Sequence, residues 1–284
     1  MSYATPPEGG VLWLGTPDLT EDEEFLPPPS HPWERPLLVV CVAVTIVLAT
    51  LLSHAAWSVT GSRLWTIAAL CATPAGCWLV RGLRHARHRA ESVKISPTQF
   101  PEVYRMVVSL SESMGLLRPP DAYVTAGRGD PLRTDASGHG LRRYLVLSGE
   151  LFDASGQLRD PDVPAFLIAH QIGHIATGHT GYWRRVATSG AELVPGLGAA
   201  LSRAQEYTAD NHAHTHLPEV SSAVRIFASG AHTHTRVNMG EMAARAHTDR
   251  GCSLLLYHLF TRRPSNIRRM AALRDRSRRG RVFL

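Results

Sequence analysis

The chain is poor in cysteine. Its 284 residues include four, and three of them (Cys41, Cys71 and Cys77) fall in apolar runs. Cys252 is left without an intradomain partner, which excludes a disulfide-stapled scaffold. Charge is missing altogether from two stretches: neither Leu37 to Trp57 nor Leu64 to Val80 contains an Asp, Glu, Lys or Arg. A helix crossing a bilayer needs about 20 apolar residues, with about 17 as the practical minimum. The first run meets that length; the second is marginal, with Pro74 and Gly76 inside it. A short basic leader is lacking too, which argues against a cleaved signal peptide. What precedes the first run is an acidic, Pro-rich segment, residues 1–36, where Arg35 stands alone against seven carboxylates from Glu8 to Glu34. Such a segment has too little apolar surface to offset its ordering entropy, and a disordered tail is expected.

The two apolar runs predict a transmembrane hairpin over 37–80, with helices at 37–57 and 64–80. Arg81, Arg84, Arg87, Arg89 and Lys94 follow it, opposed by Glu91 alone, whereas the loop between the helices has only Arg63. The excess of positive charge assigns the C-terminal end of the second helix to the cytoplasm. Two crossings return the chain to its starting side. The expectation is a multi-pass protein of the cell (inner) membrane, with both termini and the following domain cytoplasmic.

With 44% hydrophobic and 19% charged residues, the whole chain suits one domain plus appendages. Beyond a basic juxtamembrane linker at 81–96, the pattern is α+β and mostly helical. Pro101 to Leu117 has Val103, Met106, Val107 and Leu110 at helical spacing. Asp121 to Thr125 and Arg143 to Ser148 read as strands of a small sheet, separated by a Gly-rich connection at 127–140. Pro164 to Gly178 reads as a helix burying Phe166, Leu167, Ile172 and Ile175. Residues 175–205 then link it to a second helical stretch, and no internal repeat is evident.

The helix at 164–178 contains His170, Gln171, Ile172, Gly173 and His174. Histidines at i and i+4 share a helix face and can clamp one metal ion from one side. Zinc proteases of this kind read His-Glu-x-x-His, and their glutamate takes the proton of the attacking water. Here that place is held by Gln171, which can orient a water but cannot accept its proton. Downstream, Glu206 and Asp210 lie at i and i+4 on the second helical stretch. Two His and one Glu with an open fourth position is a catalytic zinc set, so His170, His174 and Glu206 are the expected ligands of one zinc per chain. Asp210 is placed to accept the outer N–H of a ligating histidine.

These residues resemble the membrane-associated zinc metallopeptidases that include HtpX-like heat-shock proteases and CAAX prenyl proteases, of the gluzincin clan. The family pattern is His-Glu-Leu-Gly-His-Ile with a further His five residues on, then Arg-x-x-Glu-x-x-Ala-Asp. The chain has His170, His174, Ile175, His179, Arg203, Glu206, Ala209 and Asp210 in those places. Pro264 to Met270 is similar to the segment that follows the family's His-Pro pair, which aligns the family arginine with Arg269. The resemblance spans roughly 97–276. It implies a zincin-like metallopeptidase domain there, a basic C-terminal tail at 277–284, and peptide or protein substrates cleaved by zinc-activated water. It also implies a substrate strand along the sheet near Tyr144 to Leu147, and an oxyanion-stabilising place near the metal for Arg269. Three positions depart from the family: Gln171 for the glutamate, Arg263 for the histidine of the His-Pro pair, and Asp130-Pro131-Leu132 for Asn-Ala-Phe. The first impairs or silences turnover and suggests an alternative, a zinc-bearing pseudoprotease that binds peptides or membrane-protein segments without cutting them.

The remaining histidines, His212, His214, His216, His232, His234 and His247, are expected on exposed turns, and His179 at the end of the metal helix in a packing or capping role. Nine arginines crowd Arg262 to Arg281 against Asp275 alone. No nucleic-acid motif or interleaved aromatic accompanies them, so membrane lipid is the expected partner and nucleic acid is not.

Overall fold

The two charge-free runs form the longest helices, α1 (Glu34–Thr60) and α2 (Arg63–Glu91), reversed at Gly61, whose φ of 62° is left-handed. Both are long and apolar enough to cross a membrane. Val39, Ile46, Val47, Leu51, Leu64, Trp65, Ile67 and Trp78 point outward from the pair, an apolar surface that water does not favour. The structure is a computed structural model that describes residues 29–126, 135–153, 156–230, 233–275 and 279–283.

Neither helix stops where its apolar run does. α1 begins at Glu34, and residues 29–34 are pinned to the domain rather than forming the end of a free tail. The His31 amide donates to Thr208 Oγ1 (2.9 Å), Asn211 donates to Pro29 O (2.8 Å), and Glu34 is buried. The earlier part of that tail, 1–28, lies outside the described residues. α2 continues through residues 81–91 of the supposed linker at 81–96, and the rest of it holds a short strand; the last turns of α2 pack on the sheet, with His85 stacked on Tyr144 at 5.0 Å.

The sheet comes next: β1 (Val93–Lys94), then α3 (Pro101–Ser113), β2 (Asp121–Thr125), β3 (Asp135–His139) and β4 (Arg142–Ser148), in spatial order β1-β2-β4-β3. β2 and β4 are parallel; the β1–β2 and β3–β4 pairs are antiparallel. The expected strands at 121–125 and 143–148 are present. Part of the connection between them, however, is itself a strand, β3, which turns through Gly140 (φ 58°) into β4. Period-two alternation divides β4 between two layers. Leu145 and Leu147 join the core with Val103, Val107 and Leu110 of α3, while Tyr144 and Val146 face α2 with Tyr123.

Further helices complete the domain: α4 (Asp162–Ala176), α5 (Tyr182–Ala187), α6 (Leu197–His216), α7 (Ile226–Ser229), α8 (Met239–Thr248), α9 (Cys252–Phe260) and α10 (Asn266–Arg274). α4 tolerates Pro164 because the first turn of a helix needs no intrahelical N–H. It is buried on nearly every side, including Phe166, Leu167, Ile172 and Ile175. A second core joins Leu37 and Cys41 of α1 to Ala200, Leu201, Ala204 and Tyr207 of α6 and to Val282. A division at residue 97 therefore cuts through a core. The basic tail is likewise docked in its described part: Arg203 Nε donates to Val282 O (2.8 Å) and His31 Nε2 to Gly280 O (2.8 Å). Apolar burial of Val282 holds it there despite the arginines around it.

Candidate metal centre

α4 and α6 lie against each other, and Gly173 sets how closely. A Cβ at Gly173 would come within 2.9 Å of His212 Cβ, so a side chain there would push the helices apart. The close approach brings Glu206 of α6 between the two histidines of α4. His170 Nε2 is 3.5 Å from Glu206 Oε2, and His174 Nε2 is 3.6 Å from Glu206 Oε1. The two imidazoles stand nearly perpendicular, 4.8 Å between centroids. Ligand atoms held ~2.0–2.2 Å from a tetrahedral zinc stand ~3.3–3.6 Å from one another. The two His–Glu spacings fit that figure, and with all three ligand atoms within 4.8 Å of one another His170, His174 and Glu206 form a cluster that could hold a metal ion.

The outer nitrogens are also engaged. His170 Nδ1 lies 2.9 Å from Asp210 Oδ1, an ion-pair contact without the alignment of a good hydrogen bond. On the other histidine, His174 Nδ1 and His179 Nδ1 are 2.8 Å apart, and His179 Nε2 is 2.9 Å from Glu34 Oε1. Burial pushes the His179 imidazole down to about 4, so it is neutral near pH 7. A neutral His179 that donates from Nε2 to Glu34 accepts at Nδ1 from His174. The lone pair of His174 Nε2 is then left facing Glu206, as metal ligation requires. Glu34 is held in turn by Arg184 Nη2 (2.7 Å) and Thr208 Oγ1 (2.5 Å).

His179 reaches this place through the end of α4. Gly178 adopts φ 74°, its amide donates to Ile175 O (3.0 Å), and the His179 amide donates to His174 O (2.9 Å). That is a Schellman turn, which folds the residue after the glycine back over the last helical turn. Sequence reasoning gives His179 only a packing or capping role and misses Glu34, which it assigns to the acidic tail. The signal for His179 is the glycine before it. Nothing local could point to Glu34, which joins the site across 145 residues. His179→Phe keeps the ring but not the hydrogen bond, and should weaken zinc affinity about 10- to 100-fold. Competition against a chelating dye measures this; unchanged affinity would mean the His174–His179 contact does not tune the ligand.

Burial alone would lower His170, but the Asp210 and Glu206 carboxylates outweigh it and hold the imidazole above its ordinary value. His174 moves the other way, lowered mainly by burial. Burial would raise Glu206, yet the two histidines hold its carboxyl well below the usual range.

Arg269 does not reach the cleft. It is fully buried and grips Asp210 with two hydrogen bonds, Nε to Oδ2 (2.8 Å) and Nη2 to Oδ1 (2.5 Å), while its guanidinium lies 4.0 Å over the Phe227 ring. The oxyanion place implied by the resemblance is thus replaced by a positioning one: Arg269 holds Asp210, which faces His170. Arg203 is structural as well, satisfying carbonyls at Val282 and, at 2.5 Å, Thr261.

Gln171 is buried beside the cluster and borders a cleft of about 580 Å³ between α2, β3, the C-terminal half of α4 and the N-terminal half of α6. His174, Glu206 and Arg263 border it too. β4 is an inner strand, so the sheet edge facing this cleft is β3, with Asp135, Ala136 and Ser137 on the wall. The edge expected near Tyr144 to Leu147 is covered because β3 pairs with it. Asp130-Pro131-Leu132 and His232 lie outside the described residues. His234 is buried against Asp160 (2.9 Å), and His212, His214 and His216 belong to α6, so these are not exposed-turn histidines.

No protein-family profile matches the chain, and no curated protein or solved structure matches it significantly. The resemblance to HtpX-like and CAAX proteases therefore rests on the motif residues themselves.

Proposed function

We propose that this chain is a membrane-anchored metallopeptidase of the zincin type, its zinc held by His170, His174 and Glu206, with turnover impaired by Gln171. The observation that supports it best is the convergence of two imidazole Nε2 atoms and one carboxylate, each outer nitrogen facing its own partner, at the wall of a cleft that is lined by β3, the edge strand among the described residues. A zinc ion bound there would polarise a scissile carbonyl and acidify a water. The chain's residues do the rest. Asp210 and His179 fix the ring orientations. The β3 edge offers backbone N–H and C=O groups to an extended substrate. Gln171 can position a water through its amide but cannot carry its proton to the leaving amine. The α1–α2 hairpin anchors the domain, with both ends on the cytoplasmic side of the inner membrane.

Gln171 also favours a second reading, a pseudoprotease that grips a peptide or membrane-protein segment and does not cut it. Both readings require the metal. The purified chain should contain close to one zinc, and His170→Ala or Glu206→Ala should abolish it, as elemental analysis would show. Affinity should fall on acidification, and the loss should set in above the ordinary imidazole value of about 6.5, because ligation needs neutral imidazoles and His170 holds its proton more tightly than usual. Full zinc occupancy in both variants would remove the basis of either reading.

A further inference from the structure

The cleft beside the metal cluster has walls of two kinds. Along α2, the residues facing it recur as one helix face does and include Ala72, Gly76, Cys77 and Val80, with Thr73 beside the first, then Arg81 and Arg84. The first four are small or apolar and belong to the candidate membrane span. The two arginines follow it. Three more arginines face the cleft from the domain, Arg185, Arg262 and Arg263. Against these five stand two lining carboxylates, Asp135 and Glu206, and Glu206 belongs to the metal cluster.

Not all five charges are free. Arg185 and Arg262 both pair with Glu192, and Arg81 Nη2 donates to Thr180 O at 2.8 Å. Asp135 stands near Arg84 and Arg263 and offsets part of their charge. Among the described residues, neither Arg84 nor Arg263 forms an ion pair, and both are exposed. The excess is therefore concentrated where the span ends and the metal cluster begins.

We infer that the cleft takes a juxtamembrane stretch of polypeptide that is apolar where it leaves the bilayer and acidic immediately afterwards. Its apolar part lies along Ala72, Gly76 and Val80, and its carboxylates face Arg84 and Arg263. This rests on the proposed peptidase reading, whose substrate it specifies. A lipid phosphate would satisfy the same arginines. The β3 edge favours a polypeptide, because Asp135 to Ser137 line the same cleft and present strand backbone that a peptide can pair with and a lipid cannot.

The test uses the full zinc-loaded chain, Gln171 in place, in nanodiscs of phosphatidylcholine. The probe is a peptide of about ten Ala and Leu residues followed by alternating Glu and Ser, a membrane span's exit in miniature. It is labelled at its apolar end and followed by fluorescence anisotropy, with empty nanodiscs as background. Binding should be about tenfold tighter than for the same peptide with Gln in place of Glu, as two exposed ion pairs allow. The preference should shrink at about 0.5 M salt, where the Debye length is only a few ångströms. Arg84→Gln combined with Arg263→Gln should remove most of it, while zinc content and affinity for the Gln peptide stay as they were.

Equal binding of the Glu and Gln peptides would overturn the inference, as would a Glu preference that survives the double variant. Loss of Glu-peptide binding in nanodiscs containing phosphatidylglycerol would overturn it as well, by assigning the arginines to lipid headgroups. The same titration on metal-free His170→Ala protein separates the two ideas. A Glu preference retained there, in a chain whose wild type holds no zinc, would sink the metallopeptidase reading and leave the acidic-segment cleft standing. Zinc bound with no charge preference would do the reverse.

Discussion

Gln171→Glu is expected to raise cleavage of an unfolded protein or a fitting peptide at least ~10²-fold, the usual worth of a general base. Zinc content should be nearly unchanged. Gln171 is on α4 between the two histidines, buried, and on the cleft wall with His174 and Glu206. Glutamate is almost the same size, so neither α4 nor the ligands need move. The substitution supplies one chemical group, a carboxylate able to take a proton from the attacking water and pass it to the leaving amine. A quenched fluorescent peptide reports the gain, with His174→Ala added to the same background to exclude contaminating proteases. A Gln171→Glu chain that binds zinc and peptide yet cuts nothing would defeat the impaired-protease reading. Arg263, on the same cleft wall, would then be the next suspect, and the pseudoprotease the better account.

Arg269→Ala should be among the most destabilising single changes in the domain. The Arg269–Asp210 pair is fully buried, and removing the guanidinium leaves a carboxylate with its main counter-charge gone. Breaking a buried pair from one side costs ~3–5 kcal/mol. At about 2–4 °C per kcal/mol for a domain of this size, the apparent Tm should fall by roughly 6–20 °C. Burial would raise the Asp210 carboxyl, but the charge of Arg269 and the His170 contact outweigh it and hold it below its ordinary value. A group depressed in this way stabilises the fold above the unfolded carboxyl's pKa, ~3.9, and loses that contribution as the pH falls through its folded value. The gap between wild type and Arg269→Ala should therefore be full at about pH 6–7 and should narrow as acid protonates Asp210. Replacing both partners, Arg269→Met with Asp210→Leu, should recover part of the fold's stability but not the zinc affinity expected of the proposed site, where Asp210 faces His170. A single variant that melts within about 1 °C of wild type would show that the pair does not hold α10 to α6.

These expectations depend on sequence and tertiary structure in different ways. The sequence by itself determined the features that local periodicity and spacing dictate. Charge-free runs of bilayer length could only be apolar helices, and α1 and α2 are where those runs lie. Histidines four apart on an apolar helix share one face, and carboxylates four apart on the next helix share another. The group of residues that could hold a metal was therefore legible as soon as both segments were read as helices. The apolar run Tyr144, Leu145, Val146 and Leu147 likewise marked a strand, which the fold buries on both faces.

The tertiary structure decided whatever depends on which distant surfaces meet. Glu34 reads as one more acid in an acidic segment until α1 packs on α6 and places its carboxylate against His179 and Arg184. Arg269 reads as a cleft residue by resemblance, and only the packing of α10 against α6 shows its Nε and Nη2 committed to Asp210. The strand at 135–139 was hidden because Asp135-Ala136-Ser137-Gly138-His139 has almost no β-propensity. It is a strand because it pairs with β4, and in doing so it becomes the edge strand, among the described residues, that lines the cleft. Local sequence encodes the period of an element, but the partner of a buried charge or an edge strand is fixed by burial and hydrogen bonding across long sequence separations, which no window along the chain contains.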